Sequence, residues 1–262
     1  MADLRDLRTG VERILREAGS IATTIRQEIE PTLKKDGSLV TEADRAVESY
    51  LRRELAKLLP ESTVWGEEEG FQEPGSAGIW LADPIDGTSN YAYGSPLWGI
   101  TVALLHKGVM QVGGVALPDF DEVYSFHAGG GATCNGEPLD AIPPGPILNQ
   151  ELVSYCDLMF AELGPENLPG KMRYTGAFVI EGMWVARQRF RGLISYKANL
   201  YDCAACIGIC AELGADIRYV DGSRMDFDAC IADRNIRNPF VIFPKDSGWE
   251  HAWPRFPEAD PH

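Results

Sequence analysis

The apolar positions at the start of the chain recur every three or four residues, which is the spacing of one face of an α-helix. This pattern extends over residues 4–29 and ends before Pro31. A second stretch with the same spacing opens at Thr41 and closes at Pro60. Because proline cannot continue a helix, the two patterns predict two amphipathic helices that each end at a proline.

Short apolar runs follow, and they predict β-strands. The run 79–82 is a candidate buried strand, which we expect to end at Asp83-Pro84 because proline bars further strand pairing. Residues 97–140 predict an antiparallel sheet with strands near 98–105, 109–117 and 123–126. The Gly129-Gly130-Gly131 loop and the Asn135-Gly136 pair are typical of hairpin connections.

Strands and helices alternate beyond the proline-rich stretch 141–146, which is a candidate domain boundary. The alternation predicts an α/β layer. Its strands are expected near residues 152–155, 193–196, 217, 230–232 and 240–243, and its helices over 176–190 and 201–213. The chain is therefore expected to form two packed halves, an α+β half over 1–142 and an α/β half over 143–262.

Composition excludes several classes of protein. No apolar run approaches the ~20 residues that span a bilayer, and the N-terminus lacks the basic-then-apolar layout of a secretory signal. Six cysteines in 262 residues are too few for a disulfide framework, so we expect thiols and a cytoplasmic location. The formal net charge of −15 argues against binding to nucleic acid or to an anionic membrane. It also means that a phosphorylated substrate would need a positive group at the site, most simply a bound divalent metal.

The segment 80–90, Trp-Leu-Ala-Asp-Pro-Ile-Asp-Gly-Thr-Ser-Asn, contains the most distinctive chemistry. Asp83 and Asp86 follow the predicted strand, and the cluster from Gly87 to Asn90 suits the start of a helix. Two carboxylates at a turn, with backbone N–H groups just beyond them, can hold a hard cation and a phosphate side by side. The spacing does not fit an EF-hand, which uses alternate positions and a terminal glutamate.

Three other acidic residues each have two interpretations. Glu67 belongs either to a solvated acidic loop or to a turn that returns to Asp83. Asp44 follows Thr41 with the spacing of a variant capping box, and Asp202 is a candidate helix N-cap; both are also candidate functional carboxylates. Cys203, Cys206 and Cys210 share one helical face and are expected to be buried core residues without chemistry.

Three motifs resemble the signatures of the inositol monophosphatase family, a group of magnesium-dependent, lithium-sensitive phosphatases. They are Gly66-Glu67-Glu68, the segment 80–90, and Tyr201-Asp202-Cys203-Ala204-Ala205. The segment 35–44 also resembles the family's N-terminal loop and helix, and 173–176 its Arg-x-x-Gly helix entry. The resemblance covers nearly the whole chain in the family's order. It implies a layered α/β/α/β/α sandwich, with an α+β N-terminal half and an α/β C-terminal half.

The resemblance also implies a site for two to three Mg²⁺ ions. Glu67, Asp83 and the backbone carbonyl of Ile85 would hold one ion, and Asp83, Asp86 and Asp202 would hold a second. Asp83 would therefore bridge the two, which makes its loss the most damaging single change. A third, weaker ion would lie near Glu67.

The same resemblance assigns catalysis and phosphate binding to residues near these ligands. Thr88 and Asp44 would orient a metal-activated water that attacks phosphorus, and Glu68 would support them. The backbone N–H groups of Gly87 and Thr88, together with Ser89, would bind the phosphate. The implied reaction is hydrolysis of a small phosphate monoester, and a homodimer is expected because the family commonly dimerises.

The sequence departs from the family pattern at positions that concern the substrate. Tyr201 replaces the usual tryptophan, and Cys206 replaces the usual glycine. Ser195 stands where inositol-selective members have an acidic residue, while Arg173 and Lys197 favour a more anionic substrate. The candidates are therefore inositol monophosphate, adenosine 3′,5′-bisphosphate, fructose 1,6-bisphosphate and histidinol phosphate. A second hypothesis, from another class, is a metal-binding interaction protein with little activity.

Overall fold

The first layer of the fold consists of two helices. A computed structural model describes residues 3–28, 32–33, 39–40, 42–155, 168–196 and 198–248. Helix α1 spans Leu4–Ile25 and continues as a 3-10 turn over residues 26–28; helix α2 spans Glu42–Leu58. Asp3 caps α1 by accepting a hydrogen bond from the Arg5 N–H at 2.9 Å. Both predicted helices are confirmed, and a small antiparallel pair, β1 (Thr32–Leu33) and β2 (Leu39–Val40), lies between them.

The second layer is a seven-stranded sheet in the order β3-β4-β5-β6-β7-β8-β9. Its strands are β3 (Thr63–Gly66), β4 (Ile79–Asp86), β5 (Gly99–His106), β6 (Val109–Leu117), β7 (Glu122–His127), β8 (Ala132–Cys134) and β9 (Glu137–Pro138). β3 pairs parallel to β4, and every other neighbouring pair is antiparallel. The predicted antiparallel sheet is confirmed. Asn135 and Gly136 both have positive φ, 52° and 84°, as a type I′ hairpin turn requires.

One prediction about β4 is wrong. The strand does not end at Asp83 but continues to Asp86. Asp83 pairs with Thr101 and Asp86 with Gly99, and the register shifts between them. Pro84 is tolerated because it lies within this irregularity, where the ladder needs no N–H from it.

A second sheet of five strands has the order β11-β10-β12-β14-β13. The strands are β10 (Leu152–Tyr155), β11 (Lys171–Arg173), β12 (Gly192–Ser195), β13 (Asp216–Tyr219) and β14 (Phe240–Phe243). β11, β10 and β12 are mutually parallel, whereas β14 pairs antiparallel to both β12 and β13. The remaining described α-helices are α3 (Thr88–Ala92), α4 (Phe178–Ala186), α5 (Leu200–Glu212) and α6 (Phe227–Asp233).

The helix α6 corrects the strand predicted near 230–232. Asp226 caps this helix by accepting a hydrogen bond from the Ala229 N–H at 3.0 Å. The short apolar run within it therefore belongs to a helix that an N-cap begins, and a run of that length does not distinguish helix from strand. The helix predicted over 176–190 is also shorter, because it ends at Ala186.

Alternate residues of β4 pack into different clusters of buried side chains. Trp80 and Ala82 join the cluster formed with α1 and α2, while Ile79 and Leu81 join the cluster formed with α4, α5 and the inner face of the second sheet. A third cluster lies on the second sheet's other face. The layers therefore follow in the order of helices, sheet, helices and sheet, which agrees with the first four layers of the predicted α/β/α/β/α sandwich. The cluster on α4 and α5 contains side chains from both before and after residue 142. The division of the chain into two halves at that residue therefore stays a prediction.

Two further observations concern the described residues. Their cysteines are free and buried, namely Cys134, Cys203, Cys206, Cys210 and Cys230. None of the described helices has the length and apolar character needed to cross a membrane.

Candidate active site

The irregularity in β4 delivers two carboxylates to one point. Asp83 is 2% exposed, and its Oδ1 accepts a hydrogen bond from the Ile85 N–H at 2.9 Å. Asp86 stands at the end of the strand, and its Oδ2 accepts a hydrogen bond from the Val179 N–H at 2.6 Å. The second contact ties the start of α4 to the carboxylate turn.

Glu67 lies beside this turn because β3 runs parallel to β4. Gly66 pairs with Ala82, so Glu67 leaves the sheet next to Asp83. The interpretation of Glu67 as a purely solvated loop residue is therefore wrong. Its carboxylate is, after burial, the largest influence that raises the pKa of Asp83.

Asp202 reaches the same cluster from the other sheet's side of the molecule. It is the third residue of α5, and the N-cap position belongs to Asn199, whose Nδ2 donates to Asp202 Oδ2 at 3.2 Å. The N-cap interpretation of Asp202 is wrong for that reason. The Asp202 carboxyl instead lies near Asp83, whose pKa its charge raises.

Burial and neighbouring carboxylates raise the pKa values of all three aspartates. Burial, followed by the charges of Glu67, Asp202 and Asp86, raises the pKa of Asp83 well above its usual range. Burial and the carboxylates of Asp86 and Glu67 raise the pKa of Asp202 in the same direction. Burial also raises the pKa of Asp86 to about 7, despite the opposing hydrogen bond from Val179. Converging anions that water cannot solvate favour either protonation or a bound cation.

The donor set fits a hard divalent cation, because carboxylate oxygens are the ligands that Mg²⁺ and Ca²⁺ prefer. No group of three His, Cys, Asp or Glu side chains within the described ranges already has the geometry to hold an ion. The chemistry of the cluster therefore fits a divalent ion, and the side chains would rearrange around it.

Thr88 connects this cluster to α2. Its Oγ1 donates to the Ile85 carbonyl at 3.0 Å and lies 3.4 Å from Asp44 Oδ1. Asp44 is completely buried in the first turn of α2. Thr41 lies outside the described residues, so the capping-box interpretation is not tested, whereas the contact with Thr88 supports a second role for Asp44.

The phosphate-binding candidates lie where the sequence places them, at the start of α3. Gly87 precedes the helix with a φ of 82°, and Ser89 lies in its first turn. A Cβ at Gly87 would stand 2.8 Å from the Ala177 Cβ and 2.9 Å from the Leu97 carbonyl oxygen. The turn after Asp86 thus requires glycine for both its conformation and its close packing.

The predicted substrate contacts are only partly assembled. Ser195 is buried at the end of β12. Arg173 is exposed on β11 and donates to the Met172 carbonyl at 2.6 Å, and no hydrogen bond or ion pair of the described residues joins it to the carboxylates. Lys197 lies outside the described residues. Glu68, which was predicted to support catalysis, donates its backbone N–H to Glu48 Oε2 at 2.6 Å.

The two departures from the family pattern are accommodated by neighbouring residues. Tyr201 packs edge-on against Trp65, with ring centroids 5.7 Å apart. Cys206 faces Gly182 of α4, where a Cβ would stand 2.6 Å from the Cys206 Cβ. The glycine that lets these two helices approach therefore lies on α4 rather than on α5.

Sequence reasoning missed three polar residues that hold the site together. Glu48 and Glu181 are buried carboxylates on otherwise apolar helix faces, and that contrast is the signal that identifies them. Asn90 donates to the carbonyls of Leu97 and Thr175 at 2.7 and 2.8 Å. It links α3 to the segment that leads into α4, a long-range contact with no local signal.

Comparison with known proteins identifies the family. A sequence model described as "Inositol monophosphatase family" matches residues 3–239. The chain belongs to the inositol monophosphatase family. It is therefore a phosphatase that acts on phosphate monoesters, and the predicted fold and reaction class are confirmed.

Its curated relatives have several activities within this family. A histidinol-phosphatase of Chlorobaculum parvum is 30% identical over 177 residues, covering 65% of this chain and 68% of the relative. A fructose-1,6-bisphosphatase/inositol-1-monophosphatase of Aquifex aeolicus is 30% identical over 206 residues, covering 74% and 77%. The structure of an IMPase/NADP phosphatase complexed with NADP and Ca²⁺ superimposes with a TM-score of 0.81 at 22% identity, covering 95% and 94%. At that identity the structure shows the fold alone.

Proposed function

We propose that this protein hydrolyses a small phosphate monoester at the carboxylate cluster in a reaction that requires Mg²⁺. The observation that supports this most strongly is the convergence of the buried Asp83 with the half-buried Asp86 and Asp202, three carboxylates whose pKa values are raised by desolvation. Such a cluster is costly unless a cation offsets its charge. Calcium in the structure of the IMPase/NADP phosphatase supports a divalent ion here.

Glu67, Asp83, Asp86 and Asp202, with the Ile85 carbonyl, would hold two to three Mg²⁺ ions. When bound, the metal would lower the pKa of a water and offset charge on the phosphate oxygens. The chain's own part is to position the reactants. Asp83 is central because the other carboxylates surround it.

Thr88 and Asp44 orient the attacking water in this proposal. The Thr88 hydroxyl has one proton, which it donates to Ile85 or Asp44, so its lone pairs remain to accept a hydrogen bond from water. The water oxygen then forms the new bond to phosphorus as the ester P–O bond breaks, and the proton that the water loses ends on the departing alcohol oxygen. Backbone N–H groups of Gly87 and Thr88, with Ser89, bind the phosphate oxygens.

Ser195 concerns the identity of the alcohol part of the substrate. Ser195 provides a neutral hydroxyl at a buried position where an acid would favour inositol hydroxyls. The substrates to compare are therefore inositol 1-phosphate, histidinol phosphate, fructose 1,6-bisphosphate and adenosine 3′,5′-bisphosphate. This substrate panel is to be ranked by kcat/KM. Lithium sensitivity, a homodimer and a cytoplasmic location are further expectations of the family.

The experiment that tests the proposal is phosphate release from this panel with and without Mg²⁺. We expect turnover of at least one substrate only with Mg²⁺, and Asp83→Asn to lower kcat by roughly 100-fold or more, since each ~1.4 kcal/mol of lost stabilisation is tenfold. Asp140→Asn, which removes one exposed carboxylate, is the matched control. Turnover that persists in a chelator, or in Asp83→Asn, would contradict the proposal.

A further inference from the structure

Glu48 is a buried carboxylate that lies one helical turn beyond Asp44 on α2. It has no exposed surface, and both of its oxygens accept hydrogen bonds from backbone N–H groups of the turn after β3. Glu68 N–H donates to Oε2 at 2.6 Å, and Glu69 N–H donates to Oε1 at 3.0 Å. These contacts fix the backbone immediately after Glu67.

Arg52, one turn further along α2, completes the arrangement. Its Nε and Nη2 lie 2.9 and 2.8 Å from Glu48 Oε1. The same guanidinium donates to the carbonyls of Val64 and Gly70 at 2.9 and 3.2 Å. Glu48 and Arg52 together therefore hold the segment 64–70 at both ends.

Gly66 is the residue that allows this close approach. A Cβ at position 66 would stand 2.3 Å from Glu48 Oε1, so any other side chain would displace the carboxylate. Gly66 and Glu68 flank Glu67, and both are in direct contact with Glu48. The backbone on either side of Glu67 is consequently set by a residue that does not itself reach the aspartates.

We infer that Glu48 is a positioning residue, which orients Glu67 toward Asp83 and so sets the affinity of the cluster for a divalent ion. The inference rests on the proposed function. The role needs a group that only accepts hydrogen bonds, because two N–H groups and a guanidinium all point at it. A glutamine would turn an NH₂ group toward one of these donors and leave it unpaired.

The chain offers a matched control in Glu212, at the far end of α5 from Asp202. Its two oxygens accept hydrogen bonds from Gly129 N–H and Gly131 N–H, each at 2.9 Å. Glu48→Gln and Glu212→Gln thus impair the same kind of contact in a loop near the cluster and in a loop away from it. A general loss of stability would affect both variants, whereas a positioning role affects only one.

The experiment measures Mg²⁺ affinity of the full-length protein by calorimetry, together with the Mg²⁺ concentration that gives half-maximal phosphatase activity. We expect Glu48→Gln to weaken Mg²⁺ binding by about 10- to 100-fold, the range typical of residues that support metal ligands. At saturating Mg²⁺ most of kcat should return, and Glu48→Asp should recover part of the affinity. Glu212→Gln should bind Mg²⁺ as the wild type does.

Unchanged Mg²⁺ affinity in a folded Glu48→Gln variant overturns the inference, and so does equal weakening in Glu212→Gln. Should Glu48→Gln fail to fold, Arg52→Lys decides the matter, because it keeps Glu48 and removes the guanidinium's paired contacts. We then expect weaker Mg²⁺ binding, and unchanged binding overturns the inference. A wild type that binds Mg²⁺ without turning over any substrate would contradict the proposed function and leave the calorimetric comparison valid.

Discussion

Glu181 is a buried carboxyl group near the site whose titration makes the stability of the protein depend on pH. It is 7% exposed on α4, and its Oε1 accepts hydrogen bonds from the Thr175 N–H and from Thr175 Oγ1, each at 3.0 Å. Burial raises its pKa although these hydrogen bonds oppose the shift. It holds the segment that leads into α4, the helix whose Val179 N–H binds Asp86.

The raised pKa of Glu181 predicts a pH-dependent difference in stability. For a group whose pKa is raised on folding, the stabilisation is present below the unfolded-state pKa of about 4.3 and is lost as pH rises through the folded-state pKa. Glu181→Gln keeps the accepting oxygen but does not titrate. Relative to the wild type, its free energy of unfolding should therefore increase as pH rises above about 4, by at most ~1.4 kcal/mol per pH unit. Urea unfolding of both proteins from pH 4 to pH 7 measures this, and parallel curves would refute it.

Individual residues also mark the limit of prediction from the sequence. Asp83 and Asp86 were identifiable from their position after an apolar run, because the strand and turn are local features. For Asp44 and Asp202 the local pattern favours a capping interpretation, and only the family resemblance favours a functional site. Glu48 was missed, although a glutamate four residues after Asp44 on an apolar helix face was a usable signal.

At the scale of elements, the turn between β4 and α3 determines whether the site can form. Gly87 has a φ of 82° and almost no space for a Cβ. Gly94, just after α3, has a nearly equal φ of 81° with nothing within 4 Å of a Cβ. Substituting each glycine in turn therefore separates two free-energy costs: that of placing a side chain on a left-handed backbone, and that of crowding a Cβ against its neighbours.

We expect Gly94→Ala to lower the free energy of unfolding by about 1 kcal/mol, which is the cost of a left-handed conformation with a Cβ. Gly87→Ala should cost about 1–3 kcal/mol more, because overpacking adds to the strain. It should also lose most of its activity, since the Thr88 N–H and hydroxyl would move. Urea unfolding and phosphatase assays on both variants test this, and equal costs would show that the approach to Ala177 is unimportant.

The elements themselves were predicted well where their pattern was long. The two N-terminal helices and the antiparallel strands follow from periodicity over many residues. The errors lie in short runs: β4 passes through Pro84 because the ladder is irregular there, and α6 replaces a predicted strand because Asp226 caps a helix. Neither the pairing of β3 with β4 nor the packing of α5 against the first sheet has a local signal, so the convergence of the carboxylates could not be derived from spacing.

At the scale of the whole molecule, the cluster joins the two sheets. Asp83 and Asp86 lie in the last part of a strand of the first sheet, whereas Asp202 lies in the first turn of α5, which follows β12 of the second. In a chain with a net charge of −15, their mutual repulsion is reinforced rather than relieved by the surroundings. A divalent ion bound between them would therefore stabilise the folded protein as well as supply the reaction chemistry.

The most direct measurement of this claim is the midpoint of thermal unfolding in chelator and in Mg²⁺ for the wild type and Asp202→Asn. Asparagine removes one of the repelling charges and keeps the size of the side chain, so the variant should unfold at a higher temperature than the wild type in chelator. Mg²⁺ at ~100 times its Kd should stabilise the wild type by about 2.7 kcal/mol and raise its midpoint, with a smaller effect on Asp202→Asn, which lacks a ligand of the second ion. A wild type indifferent to Mg²⁺, or an Asp202→Asn variant that is less stable in chelator and keeps the full response to Mg²⁺, would contradict the account.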